Sequence, residues 1–193
     1  MKKDIILAGV GGQGILSIAA IIGTAAIESN LHLKQAEVHG MSQRGGDVQS
    51  HLRISDKPIH SDLIPNGGAD LIISVEPMES LRYLPYLSES GWLITNTNAF
   101  INIPNYPDYE KLMKTIKSFQ NHIALDADKI AKEIGSPRSM NMVVLGAASQ
   151  FLDLPYEKLE DGIRTIFGRK GEKIVEANLK AMKVGKKIAK ENS

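Results

Sequence analysis

Two kinds of hydrophobic run divide this chain into strands. Asp4-Ile5-Ile6-Leu7-Ala8 shows no alternation, as expected of a strand buried on both faces. Val48-Gln49-Ser50-His51-Leu52-Arg53-Ile54 alternates apolar with polar, which predicts a strand with one face in water. Lys34 to His39 reads as a strand too, and its short connection to Val48 favours antiparallel pairing, so the sheet is expected to be mixed. Further strands are predicted at Asp70–Val75, Trp92–Thr95 and Ile123–Leu125. Helical spacing fills most of the intervals. Ile15 to Glu28 is apolar almost all round and should be covered on most sides. Glu76-Pro77 opens a helix over Met78–Tyr86, with Pro77 in the first turn. Others are predicted at Tyr109–Phe119, at Ala127–Ile134 with Gly135 closing it, and at Asn141–Leu152, Tyr156–Phe167 and Glu172–Ala189. In the last of these, Ile174, Val175, Ala181, Met182, Gly185, Ile188 and Ala189 form one stripe, while Lys173, Lys180, Lys183, Lys187 and Lys190 point the other way. That basic face is either solvated or turned toward an acidic partner.

Strands alternating with helices define an α/β fold, here expected as a three-layer α/β/α single domain over residues 1–193 with a mixed, Rossmann-like sheet. Its first strand runs into Gly9-Val10-Gly11-Gly12-Gln13-Gly14, and a helix follows at once. Strand, glycine-rich turn and helix form an anion cradle: glycines allow close backbone approach, and the helix start presents unpaired N–H groups. A second glycine-rich loop, Gly40-Met41-Ser42-Gln43-Arg44-Gly45-Gly46, follows the next strand. The candidate binding residues are therefore Gly11, Gly12, Gln13, Gly14, Ser42, Arg44, Gly45 and Gly46. Arg44 offers a planar fork for phosphate or carboxylate, beside glycines able to form a backbone nest. Three readings stay open. NAD or FAD binding would use Glu37, about 20 residues past the first loop, for the ribose. The loops would otherwise hold another phosphate or a partner, or serve only close helix–strand packing.

Composition narrows the chemistry. The 193 residues include no cysteine, so thiolate-ligated clusters, zinc–thiolate sites and a cysteine nucleophile are excluded from this chain. A net charge of +1 and 5% aromatic residues argue against general nucleic-acid binding. Lys2 and Lys3 precede a long uncharged run, but Asp4, four glycines and Gln13 interrupt it, so neither signal cleavage nor membrane insertion is expected, and a cytoplasmic setting fits. His32, His39, His51, His60 and His122 show no ligand spacing, so no metal site is assigned. Glu76 and Glu79 share a helical turn, where capping and dipole pairing account for them as well as catalysis would. No catalytic residue is assigned.

Several stretches together resemble a known family. Gly9-x-Gly11-Gly12-Gln13-Gly14 and Glu37-Val38-His39-Gly40-Met41-Ser42-Gln43-Arg44-Gly45-Gly46 are similar to the gamma-type domain of 2-oxoacid:ferredoxin oxidoreductases. So are Ala69-Asp70-Leu71, Glu76-Pro77-Met78-Glu79-Ser80-Leu81-Arg82-Tyr83-Leu84, Asn141-Met142-Val143-x-Leu145-Gly146-Ala147 and Val175-Glu176-Ala177-Asn178. The His-Gly-Met-Ser-Gln-Arg-Gly-Gly form and the Glu-Pro-Met-Glu helix look most like the indolepyruvate branch. The resemblance implies the small subunit of an enzyme that converts arylpyruvates and coenzyme A to aryl-acetyl-CoA, CO2 and reduced ferredoxin. It further implies a large alpha subunit carrying thiamine diphosphate and 4Fe-4S clusters, with coenzyme A at the subunit junction and no cofactor held firmly by this chain. The alternatives are a gamma subunit for pyruvate, 2-oxoglutarate or a branched-chain 2-oxoacid, and, in another class, a free-standing dinucleotide-binding module.

Overall fold

A computed structural model describes residues 1–39 and 45–191. Its strands are β1 (Lys2–Val10), β2 (His32–His39), β3 (Asp47–Ser55), β4 (Ala69–Ser74), β5 (Leu87–Asn96) and β6 (His122–Leu125). They form one six-stranded sheet in the order β2-β3-β1-β4-β5-β6. β3 runs antiparallel to both β2 and β1, while β1, β4, β5 and β6 are parallel. The mixed sheet and the β2–β3 hairpin agree with the sequence expectation. Central β1 is buried from Asp4 to Val10, which is why its sequence does not alternate.

The helices are α1 (Ile15–Glu28), α2 (Pro77–Arg82), α3 (Tyr109–Lys117), α4 (Ala127–Glu133), α5 (Met140–Ala148), α6 (Tyr156–Phe167) and α7 (Glu172–Glu191). Period-2 alternation in β1 splits the core: Ile5 and Leu7 face the cluster containing α1, α5, α6 and α7, while Ile6 and Ala8 face the cluster containing α3. The first side is the thicker. α6 packs on α1 and α7 on α5, and every residue of α5 is buried. On α1, Leu16 and Ile27 remain exposed while the rest of the apolar surface is covered. Lys173, Lys180, Lys183, Lys187 and Lys190 are exposed as predicted, with Lys180 Nζ donating to the Ile134 carbonyl at 3.0 Å, while Lys186 is half-buried with its Nζ over the Tyr156 ring. Ile174 leaves the predicted apolar stripe and is exposed. Among the described residues no helix is long and apolar enough to cross a membrane.

Three boundaries differ from the sequence reading by more than two residues, for local reasons. The helix at Pro77 ends at Arg82, and Pro85 then directs a separate 3-10 turn over Leu84–Tyr86. α5 stops at Ala148 and continues only as a 3-10 turn, Ser149–Phe151. β5 begins at Leu87, five residues before the expected Trp92, with an irregularity in its pairing to β4 between Ala69 and Leu71.

The wet face predicted for β3 is a correction. His51 is 3% exposed, and Arg53 is largely covered, because the segment after β3 folds back over them. Arg53 donates to the Ser61 and Leu63 carbonyls, both at 3.0 Å, and makes a bidentate contact with buried Asp4 at 2.8 and 3.0 Å. His51 Nδ1 accepts the Ile64 N–H at 3.0 Å, and its ring meets Tyr86 edge-on. Burial, with a smaller push from the Arg53 charge, lowers the His51 pKa. Its stabilising contribution is therefore full above about pH 6.5 and is lost progressively as pH falls from there toward the lowered folded value. We expect unfolding free energy to drop by up to about 1.4 kcal/mol per pH unit in that window, and a His51→Gln variant to lose the slope. Equal slopes in denaturant titrations of the two proteins would refute this.

Candidate functional site

The first glycine loop leaves the carboxyl end of β1 at a topological switch point. From β1 the chain crosses through α1 to β2 on one side, while β4 joins β1 on the other. Ligands of open α/β sheets enter at such points. The Val75 N–H to Ala8 carbonyl bond, 3.0 Å, closes the β1–β4 seam. Beyond it, the Val10 N–H loses its strand partner, and the Gln13 side chain supplies one: Oε1 accepts that N–H at 2.9 Å, while Gln13 N–H donates to the Val10 carbonyl at 3.1 Å. Gln13 thus holds the turn with the carbonyl of its amide. Gly12 and Gly14 adopt left-handed backbone, φ 100° and 85°. At Gly14 a side chain would also strike Asn141, whose Nδ2 donates to the Gly14 carbonyl at 3.1 Å. α1 starts with no side-chain cap and no acidic residue in its first turn, which leaves its leading N–H groups for solvent or a ligand.

Both glycine loops meet. Gly11 N–H donates to the Gly46 carbonyl at 2.8 Å, and Gly45 N–H to the Gly11 carbonyl at 3.4 Å. Asn102 Nδ2, from the loop after β5, donates to the Gly45 carbonyl. Gly11, Gly12, Gln13, Gly14, Gly45 and Gly46 therefore occupy one edge of the sheet. Ser42 and Arg44 lie outside the described residues. The strand order also bears on nicotinamide and flavin binding. β3 separates β2 from β1, so Glu37 stands two strand spacings, about 10 Å, from β1. A ribose-binding acid sits on the strand next to β1 in dinucleotide folds, and that place here belongs to β3.

A polar hub lies behind this edge. Glu76 is fully buried and caps α2: Oε2 accepts the Glu79 N–H at 2.8 Å, while Oε1 accepts the Phe100 N–H at 3.2 Å and the Tyr106 hydroxyl. Burial, then that hydrogen bond, pushes the Tyr106 pKa upward, so the hydroxyl stays a donor. Glu79 pairs bidentately with Arg82 at 2.8 and 3.2 Å, yet burial outweighs the pairing and raises its pKa. The capping role expected for Glu76 is present; its reach to residues 100 and 106 was missed. Nothing in the spacing signals it, because both partners come from a loop of irregular backbone.

Around this edge stand exposed apolar side chains: Leu16 on α1, Val38 at the end of β2, and Phe100, Ile101 and Ile103 on the loop after β5, with Ile101 72% exposed. A folded protein leaves such a grouping open mainly where another surface covers it. The described residues thus combine a two-loop edge and exposed apolar side chains with none of the usual catalytic constellations.

Comparison with known proteins gives the class. The family model "Pyruvate ferredoxin/flavodoxin oxidoreductase" matches residues 4–188, and the chain belongs to that family. Within it, the chain is 38% identical to indolepyruvate oxidoreductase subunit IorB of Archaeoglobus fulgidus, over 96% of this chain and 94% of that protein. It is 37% identical to the IorB subunit of Pyrococcus horikoshii, covering 99% and 98%. The 2-oxoglutarate synthase subunit KorC of Methanocaldococcus jannaschii is 28% identical over 99% of this chain and 96% of its own. Among solved structures, the gamma subunit of a keto/oxoacid ferredoxin oxidoreductase from Geobacter sulfurreducens superimposes with a TM-score of 0.69 at 25% identity, over 98% of this chain and 99% of that one. A 2-oxoglutarate:ferredoxin oxidoreductase from Magnetococcus marinus, with 2-oxoglutarate, coenzyme A and succinyl-CoA bound, gives 0.77 at 23% identity, over 98% of this chain and 31% of that chain.

Proposed function

We propose that this chain is the small subunit of an indolepyruvate-type ferredoxin oxidoreductase. The observation that carries the reading is its 35–38% identity, end to end, with four IorB subunits, against 25–28% for relatives named for ketoisovalerate, 2-oxoglutarate or pyruvate. The chemistry of the chain supports a subunit role. Iron–sulfur clusters need thiolates, and there are none here, so in this reading the clusters lie in another chain; the family resemblance implies a large subunit that holds them together with thiamine diphosphate. The apolar rim of Leu16, Val38, Phe100, Ile101 and Ile103 is the face offered to that subunit.

Coenzyme A binds at the same junction in this reading. Gly11, Gly12, Gln13, Gly14, Gly45 and Gly46 bring bare backbone to the edge, and Ser42 and Arg44 add polar groups from the second loop. Phosphate oxygens suit that donor set.

Co-expression with the large subunit, followed by a 2-oxoacid panel, tests the proposal. The complex should reduce ferredoxin with indolepyruvate or phenylpyruvate at least about tenfold more efficiently than with pyruvate or 2-oxoglutarate. The isolated chain should turn over none of them. Arg44→Ala should raise the KM for coenzyme A by at least about tenfold. Turnover by the isolated chain, or a complex that prefers pyruvate, would overturn the assignment.

A further inference from the structure

β2 and β6 are the outer strands of the sheet, and the two are built differently. β6 has four residues, and so short a strand offers little to a passing chain. β2 has eight, pairs with β3 in unbroken register along its whole length, and contains neither proline nor glycine. Its one lysine, Lys34, is drawn to Asp62, at 2.8 Å, on the segment that follows β3. Of the devices that blunt an outer strand, β2 shows neither brevity nor proline, neither a bulge nor an unengaged lysine.

The bonding pattern fixes which groups of β2 point outward. Gly11 N–H donates to the Gly46 carbonyl at 2.8 Å, in register with the β1–β3 ladder, so even-numbered residues of β3 bond to β1. The odd-numbered ones turn to β2, where they meet His32, Lys34, Ala36 and Val38. Leu33, Gln35 and Glu37 are left with N–H and C=O directed away from the sheet. Among the described residues, no hydrogen bond reaches the backbone of Leu33 or Gln35 from that side.

We propose that the large subunit adds an extended segment to β2, so that the sheet continues into the partner through main-chain bonds. The inference rests on the subunit reading above and states how that contact is made. Val38, at the carboxyl end of β2, is 54% exposed and belongs to the apolar rim, so the open side of β2 is continuous with the face offered to the large subunit. A long, regular, open strand invites pairing with any other chain, and a subunit escapes that hazard while its partner fills the place. Ala36 and Val38 project to one face of the sheet, so residues of the added segment on that face should be apolar.

Hydrogen exchange at single-residue resolution, on the chain alone and in the co-expressed complex, tests the proposal. In the chain alone, the Leu33 and Gln35 amides should exchange at least about a hundredfold faster than those of Lys34 and Ala36, which bond to β3. In the complex they should slow by at least about a hundredfold. Gln35→Pro removes one outward donor and leaves the β2–β3 ladder intact, since proline is tolerated where a strand's N–H faces outward. That variant should keep the parent's urea midpoint yet raise the Kd for the large subunit about tenfold or more. Gln35→Ala, which retains the N–H, should change it by less than about threefold. Should the proline variant fail to fold, exchange in the parent still decides. A complex whose Leu33 and Gln35 amides exchange as fast as in the chain alone overturns the added strand and leaves the subunit assignment standing. Protection that appears in the chain alone as it dimerises gives β2 to a second copy and overturns the large subunit as its occupant. Failure of any complex to form overturns the strand and the assignment together.

Discussion

Replacing Gly185 with alanine is expected to remove about 3 kcal/mol or more of stability, a large fraction of what a domain of this size possesses. Gly185 on α7 and Gly146 on α5 each let the backbone of the other helix approach closely. A Cβ on Gly185 would lie 2.8 Å from the Val143 carbonyl carbon and 3.0 Å from its Cα. One on Gly146 would lie 2.8 Å from the Met182 carbonyl carbon and 3.0 Å from the Lys186 nitrogen. The obstacles are backbone atoms, so no rotamer change relieves them. α5 cannot retreat either, because all of its residues are buried against the sheet and the surrounding helices. α7 must therefore move outward, which opens a gap along Ala181, Met182 and Ala189. Gly146→Ala should behave alike. Gly168→Ala is the control: nothing lies within 4 Å of its added Cβ, and its φ of −53° suits any residue, so a change within about 0.5 kcal/mol is expected. Urea unfolding of the three variants decides the matter, and a Gly185→Ala protein within about 1 kcal/mol of the parent would refute the contact. The α1–α6 crossing repeats the device more gently, with Gly162 facing the Ile21 carbonyl oxygen at 2.9 Å from an added Cβ.

What the sequence disclosed and what it hid follow from how each interaction is encoded. Strand and helix periodicity is local, so the helix series and, through the short connection between β2 and β3, the mixed sheet were legible. The polar face of β3 was misread because alternation reports polarity and says nothing of water. His51 and Arg53 are polar so that the Ser61–Ile64 segment can hydrogen-bond to them, and that segment then excludes solvent. Gly185 fell in the apolar stripe of α7 by spacing, but its opposite number on α5 is 39 positions away, and only the crossing shows why a methyl group is forbidden. Ile174 looked like core by spacing, yet it is exposed.

Truncating Glu76 to alanine should cost about 2–4 kcal/mol and release the loop after β5. Asn96, at the end of β5, anchors the start of this loop, with Nδ2 donating to the Val75 carbonyl at 3.2 Å and to Asp128 at 2.8 Å. From there to α3 the backbone is irregular, and Glu76 supplies the acceptor that fixes residues 100 and 106. Without it, the Phe100 N–H and the Tyr106 hydroxyl lose their partner at once, and α2 loses its cap. The loop carries Phe100, Ile101 and Ile103 at the docking rim and reaches Gly45 through Asn102, so its release disorganises the edge offered to the large subunit. Tyr106→Phe removes one of the three bonds and should cost only about 1 kcal/mol. Hydrogen exchange provides the readout that global stability does not. In Glu76→Ala the Phe100 amide should lose its protection, while amides of β1 and β4 retain theirs up to the global limit. Affinity for the large subunit should fall in step, and more steeply than in a variant of equal stability loss placed at the opposite end of the sheet. If the amides of residues 97–108 exchange as slowly in Glu76→Ala as in the parent, then Glu76 caps its helix and nothing more, and the rim is ordered by other means.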